Sequence, residues 1–232
     1  MMKPDKYTSG VRTLSIQILL TLSIGKTKRT KMKTIKIIWL FIIISQSIQA
    51  QIKPCPATGD NKAVKFQQLD SLKNRHANGG SFIFVIDINR FLALPQADST
   101  SDLNRFSNKM FARIDGYIVK VKWGGAETCE CHSKDSSQLD IHIMVAKDKD
   151  HIRPEDCMVW EINRFNRADN PLLSYAYVQS LTGQEVTGVG WLFADIEHKQ
   201  NAENSNPFNP RCERATVWEL HSMSSIKKKD GK

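Results

Sequence analysis

Alternation of apolar and polar residues in the second half of the chain predicts five β-strands. In residues 139–145, for example, leucine, isoleucine and valine occupy every second position, with Asp140 and His142 between them. This two-residue period is typical of a strand with one buried face. The predicted strands are 112–123, 139–145, 158–165, 185–195 and 215–226. A helix is predicted over 171–182, because it begins with a proline and Gly183 follows its end.

Three strands, one helix and two strands, in that order, are typical of the OB-fold. We therefore predict a mainly β fold, a five-stranded OB-like barrel with one inserted helix, over residues 111–227. Glycines at 116, 188 and 190 predict bends or bulges in the first and fourth strands. Another small barrel, or an antiparallel sheet with one helix, is the alternative. Residues 51–110 are predicted to form an N-terminal extension with a helix over 62–77.

The first 50 residues have the pattern of an export signal. Residues 32–36 are basic, residues 37–44 are apolar, and Ala50 is a small residue at a suitable cleavage point. The apolar run is shorter than the roughly 20 residues that span a membrane. We predict a signal peptide over 32–50, an over-extended start over 1–31, and a periplasmic or extracellular protein without a stable membrane span. A retained anchor is the alternative to cleavage, and a long leader whose first apolar patch also engages the membrane is the alternative to the over-extended start.

Removal of this leader changes the charge of the protein. The whole chain has 33 basic and 24 acidic residues, a net charge of +9. Residues 1–50 hold nine of the basic residues and one of the acidic ones, which leaves 24 and 23, a net charge of +1. The mature chain is thus not basic, and its charge does not favour nucleic acid as a partner. The alternating pattern also places Trp123, Trp160, Trp191 and Trp218 in the barrel core rather than on a base-stacking surface.

Five cysteines in an exported chain indicate disulfides, with one thiol left over. Cys129 and Cys131 lie between the first two predicted strands, and Cys212 lies between the last two. These two loops border the same end of an OB barrel, so we predict a bridge from Cys212 to Cys131 or Cys129. Cys157 is predicted to be buried or paired with Cys55. A zinc or copper site that begins at the Cys-Glu-Cys-His run is the alternative.

Five polar residues on the second, third and fifth predicted strands form a candidate ligand-binding or metal-binding face. These strands are neighbours in an OB barrel, and side chains two residues apart project from the same face. Carboxylates and imidazoles together suit Zn²⁺ or another divalent ion. The alternative is a solvated strand face whose opposite charges pair across the sheet. The candidate residues are Asp140, His142, Glu161, Glu219 and His221; Glu197 and His198 lie in the loop after the fourth strand.

The chain also resembles a group of uncharacterised exported bacterial proteins with an OB-like fold. The resemblance implies a shared fold and places the helix over 62–75 in the same folded unit, but it implies no activity. The segments that carry it are Leu72-Lys73-Asn74-Arg75, Asp115-Gly116-Tyr117, Asp140-Ile141-His142, Gly190-Trp191-Leu192 and Thr216-Val217-Trp218-Glu219-Leu220-His221.

These observations favour a binding or interaction module whose partner is a small polar ligand or an envelope protein. The ligand is expected to contact the outer face of the second and third strands and the two cysteine-bearing loops. The alternative is a metal-dependent hydrolase, acting on phosphodiesters like a nuclease, at the candidate face. A thermonuclease-like run is broken at Tyr117, and no Gly-x-Ser-x-Gly, Walker or His-Glu-x-x-His motif occurs. The sequence therefore leaves open whether the protein is an enzyme and establishes no cofactor. An envelope-anchored structural protein is a third alternative, which requires an uncut leader.

Overall fold

Five of the strands close into a β-barrel in the computed structural model, which describes residues 55–78, 82–94 and 110–229. The predicted signal peptide over 32–50 and the predicted over-extended start over 1–31 lie outside the described residues. All described residues belong to one unit of the chain.

The described part of the chain contains strands, short helices and several 3₁₀ turns. The strands are β1 (Ile83–Val85), β2 (Phe111–Trp123), β3 (Ile141–Ala146), β4 (Met158–Ile162), β5 (Glu185–Ala194) and β6 (Trp218–Lys228). The helices are α1 (Val64–Lys73), α2 (Ile88–Leu92), α3 (Arg164–Asp169) and α4 (Tyr175–Ser180). The 3₁₀ turns are Thr128–Glu130, Pro154–Asp156, Pro171–Leu173 and Ile196–Asn201.

The order of strands around the barrel is that of an OB-fold. Strand β2 pairs with β3, β3 with β4, β4 with β6, β6 with β5, and β5 pairs again with β2. The β4–β6 pair is parallel and the other four barrel pairs are antiparallel. This topology confirms the predicted mainly β, OB-like barrel. Two short helices and a 3₁₀ turn, rather than one helix, are inserted before the fourth barrel strand. Strand β1 is added in parallel to the first residues of β2.

The long strand β2 changes partner and face along its length. Its first half pairs with β5 and its second half with β3, and a bulge lies between Ile118 and Lys120. The bulge lies after the position predicted from Gly116. Because the extra residue shifts the alternation, Ile118 is buried before the bulge and Val121 after it, while Lys120 remains exposed.

Two predicted elements differ in the structure: a strand ends earlier than predicted, and a helix divides in two. In both places a side chain caps the helix that begins there. The third predicted strand, 158–165, stops at Ile162, since the Asn163 side chain accepts a hydrogen bond from the Asn166 amide at the start of α3. The predicted helix 171–182 divides into a 3₁₀ turn and α4, which is capped by the Ser174 hydroxyl.

Two of the four tryptophans that were predicted for the barrel core lie there. Trp160 and Trp218 are fully buried, and Gly188 lies so close to the Trp160 ring that an added Cβ would be 2.4 Å from Cζ3. Trp123 is only half-buried and stacks on Tyr175. Trp191 is wrongly predicted as core, because the even-numbered residues of β5 point inward.

Helix α1 is attached to the barrel through its last turn and the residues that follow. The Asn163 side-chain amide donates to the Lys73 carbonyl at 2.8 Å, and the Asn74 side-chain amide donates to the Cys129 carbonyl at 2.7 Å. The Arg75 guanidinium donates to the His221 carbonyl at 3.0 Å and lies over the Trp191 ring. These contacts place Lys73 against the outer side of β4 and β6.

Candidate functional site: a buried ionic network beside a cationic cavity

The barrel brings the five candidate side chains together at the centre of the sheet. His142 of β3 pairs in register with Glu161 of β4, and Glu161 pairs in register with His221 of β6. Glu219 lies two residues before His221 on β6, and Asp140 directly precedes β3. The three neighbouring strands thus form one polar surface, which we call the candidate face.

The candidate face is buried rather than solvated. None of its five residues is more than 7% exposed, and Glu219 and His221 are fully buried. The alternative of a solvated strand face is therefore wrong about exposure, but opposite charges do pair across the sheet, as that alternative predicted. The alternation along β3 and β6 marks which residues share a face, but α1 and the loops that carry Asp195 and Arg214 cover it.

His221 lies at the centre of the candidate face, between three carboxylates. Its Nδ1 is 3.0 Å from Glu219 Oε1 and 3.3 Å from Glu161 Oε2, and its Nε2 is 3.4 Å from Asp140 Oδ2. Burial lowers the pKa of His221, but the nearby carboxylates, Glu161 first, outweigh burial and hold that pKa well above its usual value.

His142 occupies the edge of the candidate face and connects it to the surface. Its Nε2 is 3.3 Å from Glu161 Oε1. Burial lowers the pKa of His142, but the charge of Glu161 and its hydrogen bond outweigh burial, so the pKa is raised above its usual value. Gly124 leaves room for this ring, because a Cβ at that position would be 2.7 Å from His142 Nε2.

Two buried cations and one buried carboxylate that sequence reasoning did not single out complete the network. Arg214 donates to Glu219 at 2.9 Å and lies 4.0 Å from Asp195. Lys73, 1% exposed, has its Nζ 2.8 Å from Glu127, 3.4 Å from Asp195 and 3.2 Å from Glu197.

A signal for Lys73 was present in the sequence. Lys73 follows the buried Leu69 by four residues, so the two side chains share the inner face of α1. A lysine at such a position implies a carboxylate partner across the interface. Which carboxylates these are depends on loops distant in sequence, at Glu127 and Asp195.

The disulfide differs from the predicted one. Cys55 is joined to Cys131, and Cys129, Cys157 and Cys212 carry free thiols. The predicted bridge from Cys212 to Cys131 or Cys129 is therefore wrong. Asn74 explains the observed pairing, since its side-chain amide donates to the carbonyls of both Ala57 and Cys129 and so holds the Cys55 segment beside the 128–131 turn.

Two of the free thiols, those of Cys129 and Cys157, are buried and therefore resist ionisation to the reactive thiolate. Burial raises the pKa of Cys129 far above its usual value and that of Cys157 to about 12. Cys157 was predicted to be either buried or paired with Cys55, and it is buried with a free thiol.

An open cavity of about 460 Å³ lies on the outer side of β2, β3 and β4, and His142 forms part of its wall. We call it the cationic cavity, because five of its lining residues are basic. Two acidic residues, Glu127 and Glu213, also line it. The basic lining residues are Lys120, Lys122, His142, His198 and Arg214; the others are Gly125, Ala126, Met144, Pro154, Val159 and Cys212.

The pair of His198 and Asp195, at the rim of the network, predicts a pH-dependent stability. His198 Nδ1 is 2.6 Å from the buried Asp195 Oδ2. Asp195 is the main cause that raises the pKa of His198 from 6.5 to about 9, against burial and the charges of Arg214 and Lys73. Because the folded pKa is the higher one, the stabilisation is complete below pH 6.5 and is lost as pH rises through about 9.

We expect the difference in unfolding free energy between wild type and His198→Gln to shrink by roughly 2 kcal/mol between pH 6 and pH 10. This is less than the full linkage value, because a quarter of the side chain is exposed. Urea unfolding at each pH measures it. His76→Gln, at an exposed histidine, serves as the control. A wild-type-to-variant difference that stays constant from pH 6 to pH 10 would contradict the prediction.

No protein-family model matches the sequence, and no curated protein resembles it significantly. Among the described helices, none has both the length and the apolar character to cross a membrane. Fold and site together define an OB-like β-barrel that carries a buried ionic network beside a cationic cavity.

Proposed function

We propose that this protein is an exported binding module that holds a small anionic ligand in the cationic cavity. The observation that carries the proposal is the balance of charge around a cavity of about 460 Å³. Five basic side chains and two acidic ones line it, and Glu127 is already paired with Lys73. His142, His198 and Arg214 are also paired with carboxylates, so Lys120 and Lys122 supply the positive charge that no described carboxylate pairs with. Cavities of this size, with a few convergent polar groups, are typical of small-molecule sites.

Several donors in the cavity wall support an anionic ligand. Lys120 and Lys122 are exposed on β2 and form no ion pair with any described residue. The Nε of Arg214 is buried and has no hydrogen-bond partner within the described part of the chain. A carboxylate or phosphate group would supply charge-assisted acceptors to these donors.

The cavity wall does not favour nucleic acid as the ligand. Binding of single strands relies on aromatic side chains on which the bases stack. Among the described residues that line the cavity, none is a phenylalanine, tyrosine or tryptophan. Trp123 stacks on Tyr175 instead.

Export is part of the proposal. The segment over 32–50 has the pattern of a signal peptide, and the Cys55–Cys131 disulfide is of the kind that persists in oxidising compartments. Both features support a periplasmic or extracellular location for the mature chain.

Binding is favoured over metal-dependent hydrolysis, the second function suggested by the sequence. Asp140, Glu161 and His221 are the described residues that converge as a metal-ligand group, and each is at most 2% exposed. None of the three lines the cationic cavity. A hydrolytic metal needs an open position that faces the substrate, and this buried group offers no such access.

The double variant Lys120→Ala/Lys122→Ala tests the proposal. Inorganic phosphate and citrate are titrated into the ¹⁵N-labelled mature protein. We expect at least one of them to shift the amide signals of His142, Met144 and Val159. Loss of two charged donors is expected to weaken that binding at least about tenfold, since each 1.4 kcal/mol changes affinity tenfold.

The matched control is Lys227→Ala/Lys228→Ala, which removes two exposed lysines near the end of β6. We expect this variant to bind the anion as the wild type does. Equal weakening in both double variants would indicate a general effect of net charge rather than a site. Absence of binding for both anions at millimolar concentration would overturn the proposal.

A further inference from the structure

Three side chains of the candidate face form a group that we call the buried triad: Asp140, Glu161 and His221. One ligand atom of each lies within 4.8 Å of the others. Asp140 directly precedes β3, while Glu161 and His221 are register partners on β4 and β6. The three residues thus lie on the outer side of three neighbouring strands, two of them in the strands and Asp140 directly before one.

Atoms of the buried triad lack hydrogen-bond partners. Asp140 Oδ1, Glu161 Oε1 and His221 Nε2 form no hydrogen bond with the described residues. Two of these atoms have long ion-pair contacts instead, Glu161 Oε1 with His142 at 3.3 Å and His221 Nε2 with Asp140 at 3.4 Å. All three residues are at most 2% exposed, so bulk water does not satisfy these atoms. Buried polar atoms without partners are costly and uncommon in native proteins. Three such atoms in one buried group leave unused coordinating capacity for a further ligand.

Glu219 orients His221 for this role. The His221 Nδ1–H donates to Glu219 Oε1 at 3.0 Å, and Glu219 is itself held by the Arg214 guanidinium at 2.9 Å. In metal sites a ligating histidine commonly donates its other ring N–H to a carboxylate, which fixes the tautomer. In the neutral tautomer this arrangement points the Nε2 lone pair toward Asp140, 3.4 Å away.

We propose that the buried triad binds one divalent ion of the Zn²⁺ or Mn²⁺ type, through the carboxylates of Asp140 and Glu161 and through Nε2 of His221. Two carboxylates and one imidazole form a donor set that suits these ions. Ca²⁺ is disfavoured, because it requires six to eight oxygen ligands. The competing state is a protonated His221 that pairs with the same carboxylates without a metal.

Calorimetric titration of the metal-free mature protein, with its disulfide intact, separates the two states. We expect about one equivalent of ZnCl₂ or MnCl₂ to bind and to raise Tm, and CaCl₂ to bind more weakly. Cobalt substitution is expected to give visible absorption bands of a Co²⁺ ion with nitrogen and oxygen ligands. Absence of heat, of a Tm change and of cobalt bands would overturn the proposal.

The variants Glu161→Gln and His221→Gln locate the ion. Each is expected to lower the affinity more than about 100-fold, whereas Glu219→Gln, which acts through His221, is expected to lower it about 10- to 100-fold. His198→Gln/Cys212→Ser is the matched control, because it removes the imidazole and thiol donors of the cationic cavity. Binding that survives His221→Gln, or that is lost in the control, would overturn the assignment.

A measurement on the wild-type chain keeps the assignment testable if a triad variant does not fold. With ¹⁵N-labelled histidine, the metal is expected to shift the ring Nε2 signal of His221 and to leave that of His198 nearly unchanged. The opposite result would place the ion at the cationic cavity and contradict the buried triad as its site.

Discussion

Replacement of Lys73 by methionine is expected to lower the free energy of unfolding by about 3 to 5 kcal/mol. The Lys73 ammonium is 1% exposed and lies within 3.4 Å of carboxylate oxygens of Glu127, Asp195 and Glu197. Methionine preserves most of the packing volume and removes the charge, so that these carboxylates repel one another in a buried setting. Urea denaturation followed by circular dichroism measures the loss.

Lys65→Met is the matched control, since Lys65 lies on the same helix and is exposed. This variant is expected to cost less than about 1 kcal/mol, the usual range for a surface substitution beside an aromatic ring. The double variant Lys73→Met/Glu127→Gln is expected to recover part of the loss, because it removes one uncompensated carboxylate. Equal costs for Lys73→Met and Lys65→Met would contradict the buried ionic network.

Removal of the Cys55–Cys131 bridge by Cys55→Ser/Cys131→Ser is expected to cost about 4 kcal/mol. The two cysteines are 76 residues apart in the chain, and a loop of that length strongly restricts the unfolded chain when it is closed. The bridge also joins the segment before α1 to the turn at 128–131, so its loss loosens the attachment of Lys73. Urea unfolding of oxidised wild type and of the double variant measures the effect.

Cys212→Ser is the control for the disulfide, because this half-buried cysteine is a free thiol. We expect it to change stability by less than about 1 kcal/mol. Non-reducing peptide mapping of exported protein, whose N-terminus is expected at Gln51, should recover Cys55 linked to Cys131. A peptide that links Cys212 to either loop cysteine would contradict the structure and restore the original expectation.

Local pattern was sufficient to predict much of the barrel. Two-residue alternation located all five barrel strands within a few residues of their ends, and their order indicated the OB-like topology. The same alternation placed Asp140, His142 and Glu161 on one surface with Glu219 and His221. These features depend on near neighbours in sequence and on the known neighbour relations of one topology.

Other features could not be read from the same pattern. Alternation does not show whether a second layer covers a polar face, and α1 covers this one through Lys73. The sequence likewise contains no pattern that distinguishes the bulge between Ile118 and Lys120 from a bend at Gly116. The disulfide pairing depends on how Asn74 holds the Cys55 segment beside the 128–131 turn. Its hydrogen bond to the Cys129 carbonyl joins residues that are 55 positions apart in the chain.

The sequence by itself determined an OB-like barrel and the shared face of five acidic and histidine residues, and it predicts an export signal, because each is encoded in local periodicity or composition. Only the tertiary structure decided that the shared face is buried, that Lys73 and Arg214 balance its charge, that Cys131 pairs with Cys55, and that an open cationic cavity lies beside it. Those properties arise from contacts between distant segments, where burial and the distances between charges are set by packing rather than by the order of residues.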